Sequence, residues 1–295
     1  MSQPTTLQNP LEMEPRPPFP AQQQQPTGSQ RLMNPQPDHG EKTYQGGGKL
    51  VGRAAIITGG DSGIGRAVAL TFAREGADIL FAYLEEDADA QETIRVVEAA
   101  GRKAVAMKGD IGDETFCQRL VQRALQEFGH LELLVNNAGY QQTYQSITDI
   151  PSHEIERVYR TNILAMFWLC KAAVPHLRPG AAIINTTSIE AYEPKPTLLD
   201  YASTKGAIVT FTKGLAQELT PKGIRVNAVA PGPVWTPLVV MSMPADKVRD
   251  FGESDPMRRP AQPIEVATAY VFLASNDASY ISGEILGVTG GKPLA

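Results

Sequence analysis

The sequence has little cysteine and little histidine, and both shortages limit the kinds of site that it can contain. It has 2 cysteines in 295 residues, which excludes a disulfide scaffold and a cysteine-rich zinc site. Its 4 histidines are scattered along the chain, without the short spacings typical of metal ligands. We therefore predict neither a structural nor a catalytic metal. These residues are Cys117, Cys170, His39, His130, His153 and His176.

The sequence also lacks long hydrophobic segments and an excess of positive charge. Its longest apolar run near the middle of the chain, residues 163–170, is far shorter than the ~20 residues that a membrane-spanning helix needs. The first residues show neither the basic start nor the apolar core of a secretory signal, so we expect a cytoplasmic protein. The net charge of -5 argues against a nucleic-acid partner and against binding to an anionic membrane.

Proline and glutamine are concentrated at the amino terminus. Residues 1–48 contain 9 of the 23 prolines and 9 glutamines, and they end in three glycines. A segment of this composition is expected to bury too little apolar surface to offset the entropy lost on ordering. Two interpretations follow: a disordered tail, or an arm that lies on a neighbouring subunit. The side chains available to anchor such an arm are Leu11, Met13, Phe19, Leu32 and Met33.

From Lys49 onward, short apolar runs alternate with longer segments of helical periodicity. Continuously apolar runs are typical of strands buried on both faces, and strand–helix alternation is typical of a parallel sheet covered by helices. Because the alternation never breaks into two blocks, residues 49–295 are predicted to form one doubly wound α/β domain with a parallel sheet of about seven strands. The predicted strands are 54–57, 79–82, 104–107, 133–135, 181–184, 226–229 and 285–288. The clearest helical segments are 67–75, 90–100, 114–128, 164–176 and 202–219.

A glycine-rich turn follows the first predicted strand. Glycines at positions 59, 63 and 65 allow a tight turn and let the backbone approach a pyrophosphate without a Cβ in the way. The next helix directs its free N–H groups and the positive end of its dipole at that phosphate. The order of strand, glycine turn and helix predicts a nucleotide site, whereas the glycines alone would also suit a turn without a ligand.

The residues Thr58-Gly-x-x-x-Gly-x-Gly resemble the signature of the classical short-chain dehydrogenase/reductase family. The resemblance spans about residues 50–292 and implies a Rossmann-type fold. The long amino terminus is similar to that of members named after glucose or ribitol dehydrogenases. The other family motifs follow in the expected order: Asp110 after the third strand, Asn136-Asn137-Ala138-Gly139 after the fourth, and Pro231-Gly232 with Thr236 after the sixth.

The resemblance implies a nicotinamide dinucleotide as cofactor and assigns residues around it. The family's aspartate at the position of Asp110 binds the adenine amino group, although Asp110 would also suit a cap for the helix at 113–128. The Asn-Asn-Ala-Gly turn, which could otherwise be a plain turn, shapes the cofactor wall, and the Pro-Gly segment with its threonine holds the nicotinamide amide. The predicted cofactor-binding residues are Gly59, Asp61, Ser62, Gly63, Ile64, Gly65, Tyr83, Leu84, Asp110, Ile111, Asn137, Ala138, Gly139, Tyr201, Lys205, Pro231, Gly232, Val234 and Thr236.

Tyr201 and Lys205 form the predicted catalytic pair. Residues four apart share one face of a helix, with about 6 Å between their Cβ atoms. The pKa of a free phenol is about 10. An ammonium group ~4 Å away favours the phenolate by about 4 kcal/mol before desolvation opposes it. The ring of an oxidised nicotinamide adds a second positive charge. We therefore expect the two charges together to lower the pKa of Tyr201, so that its oxygen can exchange a proton with an alcohol or a carbonyl.

Two further residues complete the catalytic pattern. Ser188 ends the fifth predicted strand, where an open α/β sheet places its ligand site, and its hydroxyl suits a hydrogen bond to the reacting oxygen. Asn162 lies inside a predicted helix, where an amide would also suit a solvent-facing or kinked position. Asn162, Ser188, Tyr201 and Lys205 match the family's catalytic tetrad, in which the asparagine holds a water that links the lysine to solvent.

These features favour an NAD(P)-dependent oxidoreductase that interconverts a small alcohol or polyol with the matching ketone or aldehyde. Two alternatives remain: a 3-oxoacyl thioester reductase, which shares the tetrad, and a non-catalytic dinucleotide sensor or scaffold. The long segment 234–260 is predicted to be a lid whose apolar half covers the substrate or packs on a neighbouring subunit. That apolar half comprises Trp235, Leu238, Val239, Val240, Met241 and Met243. Further candidates for the pocket wall are Tyr140, Glu190, Tyr192 and Glu193.

The end of the second predicted strand favours NAD over NADP. Tyr83 and Leu84 are followed there by Glu85, Glu86 and Asp87, whereas a 2′-phosphate calls for Arg or Lys. We expect a preference of about tenfold for NAD, with NADP also possible.

Two strongly apolar helical segments predict contacts between subunits. They comprise residues 165–176 and 202–219, and one domain cannot bury every face of them. The resemblance implies that these segments form the main contact of a homotetramer.

Overall fold

Seven parallel strands form one sheet within residues 8–294, the part of the chain that this computed structural model describes. They lie side by side in the order β3-β2-β1-β4-β5-β6-β7, so the predicted fold and strand number are confirmed. The strands are β1 (Ala54–Thr58), β2 (Asp78–Tyr83), β3 (Ala104–Lys108), β4 (Leu133–Asn136), β5 (Ala182–Thr186), β6 (Arg225–Pro231) and β7 (Ile285–Val288).

Helices cover both faces of the sheet. Those that precede the fifth strand are α1 (Gly63–Arg74), α2 (Asp87–Ala99), α3 (Glu114–Phe128), α4 (Ser152–Tyr159) and α5 (Ala165–Ala173). Those that follow it are α6 (Leu199–Leu219), α7 (Pro237–Ser242), α8 (Ala245–Arg249) and α9 (Pro263–Ala274). The predicted lid at 234–260 is therefore not one irregular loop, because it contains α7 and α8.

The apolar strands supply a separate core on each side of the sheet. Successive side chains of a strand point to opposite faces, so Ala55 and Ile57 of β1 enter one core while Ile56 enters the other. The first core is completed by α1 and α9, and the second by α3, α5 and α6. Both faces of the sheet are thus dry, which explains why the strands are continuously apolar rather than alternating.

The order of the strands determines where a ligand can enter. The chain winds outward from β1 through β2 to β3, and then returns to continue on the other side of β1 with β4. The loops after β1 and β4 leave the sheet in opposite directions, which opens a crevice at the carboxyl ends of these strands. The glycine turn, Asp110, the Asn-Asn-Ala-Gly turn and the Pro-Gly segment all lie at this edge, at or just after the end of a strand.

The amino-terminal arm, residues 8–48, packs against its own chain. Phe19 and Met33 are buried, and the ring of Phe19 stacks on that of Trp235 with centroids 4.1 Å apart. Trp235 also donates a hydrogen bond from Nε1 to the carbonyl oxygen of Pro35, at 2.9 Å. The arm thus covers one side of the segment that contains α7 and α8.

This packing differs from the free tail that the composition suggested. Residues 8–48 bury Phe19 and Met33 against their own chain, and an additional contact with a neighbouring subunit stays a prediction. Of the five anchor candidates only Phe19 and Met33 are buried, whereas Leu11 and Leu32 are exposed. The argument from composition neglected the prolines, which reduce the entropy of the unfolded chain and so make ordering less costly. Residues 1–7 of the predicted extension lie outside the described residues.

No helix in residues 8–294 is long and apolar enough to cross a membrane. Both cysteines are buried and unbonded to each other.

Candidate active site

The glycine-rich turn lies at the carboxyl end of β1 and leads directly into α1. Gly59 and Gly63 have φ angles of 64° and 50°, a conformation that residues with a side chain rarely adopt. A Cβ on Gly65 would lie 1.9 Å from the carbonyl oxygen of Gly59, so no side chain fits there. The turn is therefore tight because of these three glycines, as the sequence predicted.

The Asn-Asn-Ala-Gly turn after β4 is bonded to the start of the glycine turn. The backbone N–H groups of Asn137 and Ala138 both donate to the Thr58 hydroxyl, at 2.9 and 3.0 Å. The Asn137 side chain donates from Nδ2 to the carbonyl oxygen of Thr58 at 3.0 Å. These bonds hold the walls of the crevice at a fixed separation, which a plain turn would not do.

A cleft of about 340 Å³ occupies this crevice and reaches from the end of β2 to the segment after β6. It contains every predicted cofactor residue except Gly65, which lies behind the wall. Five glycines in the lining keep side chains out of the ligand's path, so the residues present fit an extended dinucleotide. The predicted residues in the lining are Gly59, Asp61, Ser62, Gly63, Ile64, Tyr83, Leu84, Asp110, Ile111, Asn137, Ala138, Gly139, Tyr201, Lys205, Pro231, Gly232, Val234 and Thr236.

Asp110 faces the cleft rather than capping a helix. The amino-terminal cap of α3 is Asp113, whose side chain accepts a hydrogen bond from the N–H of Thr115. The carboxylate of Asp110 instead accepts from the N–H of Gly112 at 2.7 Å, which fixes its orientation beside Ile111. Asp110 therefore does not cap α3, and its carboxylate lies in the lining, as a ligand-binding role requires.

Tyr201, Lys205 and Ser188 meet at one end of the cleft. Lys205 Nζ lies 5.1 Å from the centroid of the Tyr201 ring, as expected for residues one helical turn apart in α6. The Ser188 hydroxyl lies close enough to the Tyr201 phenol to influence its pKa. Lys205 is anchored at the end of β5 by donating to the carbonyl oxygen of Thr186 at 2.9 Å. The three functional groups are thus held by one helix and the adjacent strand end.

Burial changes the pKa of both residues of the pair. Loss of solvation lowers the pKa of Lys205 to about 7. Burial also raises the pKa of Tyr201 above its usual value, although the Ser188 hydroxyl opposes this shift. Lys205 alone therefore does not lower the pKa of Tyr201, because burial of the phenol has the larger effect. The expected lowering also counted the positive charge of an oxidised nicotinamide, and for the protein with that ring bound it stays a prediction.

Asn162 is buried behind the cleft wall, in a π-helical turn between α4 and α5. Its Oδ1 accepts from the backbone N–H of Tyr140 at 2.8 Å, and its Nδ2 donates to Thr204 Oγ1 at 3.0 Å. A Cβ on Gly139 would lie 3.8 Å from both Asn162 Oδ1 and Lys205 Nζ, which shows how near the two side chains are. The sequence also suited a kinked or a solvent-facing position for Asn162. The backbone is irregular there, since a π-turn widens the helix locally, but the side chain is buried rather than facing solvent.

Comparison with known proteins agrees with this geometry. Residues 59–292 match the sequence family described as enoyl-(acyl carrier protein) reductase. The glucose and ribitol dehydrogenase of Daucus carota is 48% identical over 280 residues, covering 92% of this chain and 96% of that one. A short chain dehydrogenase from Burkholderia cenocepacia, solved in complex with NADP, is 32% identical with a TM-score of 0.77. The chain belongs to the short-chain dehydrogenase/reductase family of oxidoreductases. The resemblance stated from the motifs is confirmed.

A second solved member of the short-chain dehydrogenase/reductase family is the 3-ketoacyl-(acyl-carrier-protein) reductase from Brucella melitensis, complexed with NADH. It is 35% identical to this chain with a TM-score of 0.74. The match covers 82% of this chain and 98% of the Brucella protein, and the match to the Burkholderia protein covers the same shares. Residues 49–295 are 247 of 295, or about 84% of the chain. The share in common is thus about the size of the sheet domain, and the arm is an addition to the shared fold.

The predicted lid contributes only part of its apolar side chains to this short-chain dehydrogenase/reductase cleft. Leu238, Val239, Met241 and Met243 line it, whereas Trp235 and Val240 lie outside it and pack with Phe19 of the arm. Val239 and Met243 also contact the cluster around Phe19, so they connect the arm to the cleft. Among the other candidates, Tyr140, Glu190 and Glu193 line the cleft, and Tyr192 packs elsewhere, against Ala228 and its neighbours. Sequence spacing could not separate these groups because the arm that divides them is about 200 residues away in the chain.

Several lining residues were not anticipated from the family motifs. Pro26 and Thr27 of the arm reach the cleft, and so do the cations Arg157, Lys195 and Lys292. Lys195 pairs with Glu190 at 3.2 Å, and Lys292 pairs with Asp255 at 2.6 Å. None of these residues belongs to a motif that the sequence analysis identified.

Proposed function

We propose that this protein is an NAD(P)-dependent oxidoreductase that interconverts an alcohol or polyol with the corresponding ketone or aldehyde. One observation carries the proposal: Ser188, Tyr201 and Lys205 converge at one end of a cleft whose other parts are the glycine turn and the ends of β2 and β3. A proton-transfer group beside a dinucleotide-shaped cleft is what hydride transfer to a carbonyl requires.

The chain's own residues handle the oxygen and the proton. The bound nicotinamide supplies or accepts a hydride. Ser188 and Tyr201 hold the substrate oxygen by hydrogen bonds, and Tyr201 gives a proton to that oxygen during reduction or takes one from it during oxidation. Lys205 holds the ribose next to the nicotinamide, and Asn162 orders the path by which the proton is replaced. The raised pKa of Tyr201 keeps it in the acid form that carbonyl reduction needs.

The charges at the cleft favour a small neutral substrate. Lys195 and Lys292 both have carboxylate partners, so they leave little free positive charge to attract an acidic carrier protein. The lining from the lid is apolar, with Leu238 and the two methionines, and Glu190 and Glu193 offer hydrogen-bond acceptors to hydroxyl groups. The second candidate remains a 3-oxoacyl thioester reductase, supported by the 35% identity to the Brucella melitensis reductase.

A substrate panel tests this assignment. Alcohols, polyols, aldehydes, ketones and a 3-oxoacyl thioester are each assayed with both nicotinamide cofactors by the change in nicotinamide absorbance. The highest kcat/KM is expected for an aldehyde, ketone or polyol. A 3-oxoacyl thioester that exceeds all of them would favour the second candidate. A protein that binds the cofactor but turns over nothing would favour the sensor alternative.

The preference for NAD is a part of the proposal that the solved relatives do not support, since two of them were solved with NADP or NADPH and one with NADH. In this chain the end of β2 is lined by Tyr83, Leu84, Glu85 and Glu86, and Asp61 lies in the same lining. These carboxylates repel a 2′-phosphate. The nearby Arg66 is buried and bonded to the backbone oxygen of Asp61, so its guanidinium is already engaged.

We expect kcat/KM to be about tenfold higher with NAD than with NADP, or about 1.4 kcal/mol. Glu85→Lys should move that ratio toward NADP, because Glu85 lines the cleft and is exposed. Glu98→Lys on the exposed side of α2 is the matched control, with the same change of net charge outside the cleft, and should leave the ratio unchanged. A clear lead for NADP in the wild type would contradict the proposed preference.

The proposal includes assembly into a homotetramer. Large apolar side chains are exposed on α4, in the π-turn, on α5 and at the start of α6. Of the two predicted contact segments, 165–176 contains one of them, Phe167, which is 52% exposed and whose ring edge contacts Phe211, whereas 202–219 contains none. Association would remove this patch from water, and patches of this kind usually mark interfaces. The exposed residues are Ile155, Tyr159, Leu164, Phe167 and Leu199.

Sedimentation velocity at micromolar concentration is expected to show a tetramer for the wild type. Phe167→Glu should yield smaller species because it places a charge in the patch. Val51→Glu, at a residue that is 72% exposed in a different part of the chain, should not change the assembly. A monomeric wild type would reject the tetramer.

A further inference from the structure

The amino-terminal arm reaches the cleft at the point where the adenosine half of a dinucleotide would lie. Pro26 and Thr27 line the cleft together with the residues at the end of β2, and Thr27 Oγ1 donates to Glu86 Oε1 at 3.1 Å. In Rossmann-type domains the end of the second strand meets the adenosine ribose. The arm therefore contributes to the wall at that end.

The next residues of the arm cross to the opposite wall of the cleft. Gly28 has a φ of 77°, and a Cβ there would lie 3.1 Å from the carbonyl oxygen of Pro237 and 3.2 Å from Met241 Cβ. Pro237 and Met241 belong to α7, which lines the other side of the cleft. Within three residues the arm thus contacts both the β2 side and the α7 side.

Gln30 connects the arm to the glycine turn itself. Its side chain is 1% exposed, and its Oε1 accepts the N–H of Gly63, the first residue of α1, at 3.0 Å. The backbone N–H of Gln30 donates to Asp89 Oδ2 at 2.7 Å. Asp89 also pairs with Arg66, whose guanidinium donates to the carbonyl oxygen of Asp61 in the glycine turn. The turn is therefore held from behind by a continuous hydrogen-bonded network that starts in the arm.

We propose that the amino-terminal arm is a component of the dinucleotide site of its own chain. Thr27 completes the wall at the adenosine end through its hydrogen bond to Glu86. Gln30 accepts a hydrogen bond from Gly63 and so holds the glycine turn in its binding conformation before the ligand binds. A preformed turn binds more tightly because the ligand does not have to order it. This inference rests on the proposed dinucleotide binding, and it adds residues from outside the fold shared with the two solved relatives.

The test uses two substitutions in the full-length protein and one control. Thr27→Val removes the hydroxyl donor at constant shape, and Gln30→Leu removes the acceptor with little change in volume. Leu32→Ala, in the same arm but 64% exposed and outside the cleft, is the matched control. The dissociation constants of NADH and of ADP-ribose are measured by calorimetry, and melting temperatures verify the fold.

Thr27→Val and Gln30→Leu are each expected to bind both NADH and ADP-ribose about tenfold more weakly, as the loss of a hydrogen bond at a preformed site implies. Leu32→Ala should bind like the wild type. In activity assays the KM for the dinucleotide should rise while kcat at saturation stays unchanged. If Gln30→Leu does not fold, Thr27→Val, at a half-buried position, decides the question alone.

Two results would overturn the inference, and they are distinguishable. Wild-type affinity for ADP-ribose in folded Thr27→Val and Gln30→Leu would show that the arm is not part of the site, while the proposed function would stand. A wild type that binds neither NADH nor NADPH would instead refute the proposed function, and the inference with it.

Discussion

Tyr201→Phe is expected to reduce kcat by roughly 10²- to 10⁴-fold while the dinucleotide still binds. The substitution removes the phenol oxygen that transfers the proton, but it keeps the ring that packs beside Lys205. Turnover is measured at saturating cofactor and substrate, and cofactor binding by the fluorescence of the reduced nicotinamide. Activity close to that of the wild type would show that another group transfers the proton.

Two further variants control this experiment. Tyr192→Phe makes the same chemical change at a tyrosine that packs outside the cleft, and it should leave kcat unchanged. Lys205→Ala should reduce both kcat and cofactor affinity, because Lys205 lies beside the Tyr201 ring and also lines the cofactor cleft. Loss of activity in Tyr192→Phe would show that the assay responds to general disruption of the fold rather than to the proton donor.

Phe19→Ala is expected to release the arm from the domain. Phe19 is 3% exposed and stacks on Trp235, which is fully buried. Loss of a buried aromatic side chain costs about 3 kcal/mol, and each 1.4 kcal/mol is a tenfold change in an equilibrium. The population of molecules with an open arm should therefore rise more than 100-fold. Limited proteolysis under native conditions measures this population, because cleavage within the arm requires it to open.

Leu32→Ala serves again as the control, since an exposed side chain contributes little to the attachment of the arm. Deletion of residues 1–40 should lower the melting temperature, because it uncovers Trp235 and leaves its indole N–H without the carbonyl of Pro35. A deletion variant with the wild-type melting temperature, and arm cleavage at the wild-type rate in Phe19→Ala, would mean that the arm contributes nothing to stability.

The positions of the regular elements were predictable because their signals are local. Apolar runs of three or four residues identified the strands; the run at 54–57, for example, became Ala54–Thr58 with every residue buried. The glycine turn was equally clear, since its three glycines are required by backbone geometry within eight consecutive residues. The proximity of Tyr201 and Lys205 was predictable because residues four apart in a helix are neighbours on one face.

The environment of the catalytic pair was not predictable in the same way. A pKa depends on all the atoms around a group, and the sequence shows only the spacing of Tyr201 and Lys205. The charge of Lys205 was treated as fixed, whereas burial lowers its pKa to about 7 and raises that of Tyr201. The π-turn at Asn162 was also hidden, because the helical periodicity continues through it.

The sequence by itself determined the order of strands and helices, the glycine turn and the residues of the tetrad, because each depends on neighbours within a few positions. Only the tertiary structure decided the course of the arm, the division of the lid between the cleft and Phe19, and the protonation of the buried pair. These features depend on contacts such as Phe19 with Trp235 or Gln30 with Gly63, which join distant parts of the chain. Composition suggested a free tail because it reports only how few apolar residues the segment has. In the folded protein two of them, Phe19 and Met33, are buried and attach the arm to the domain.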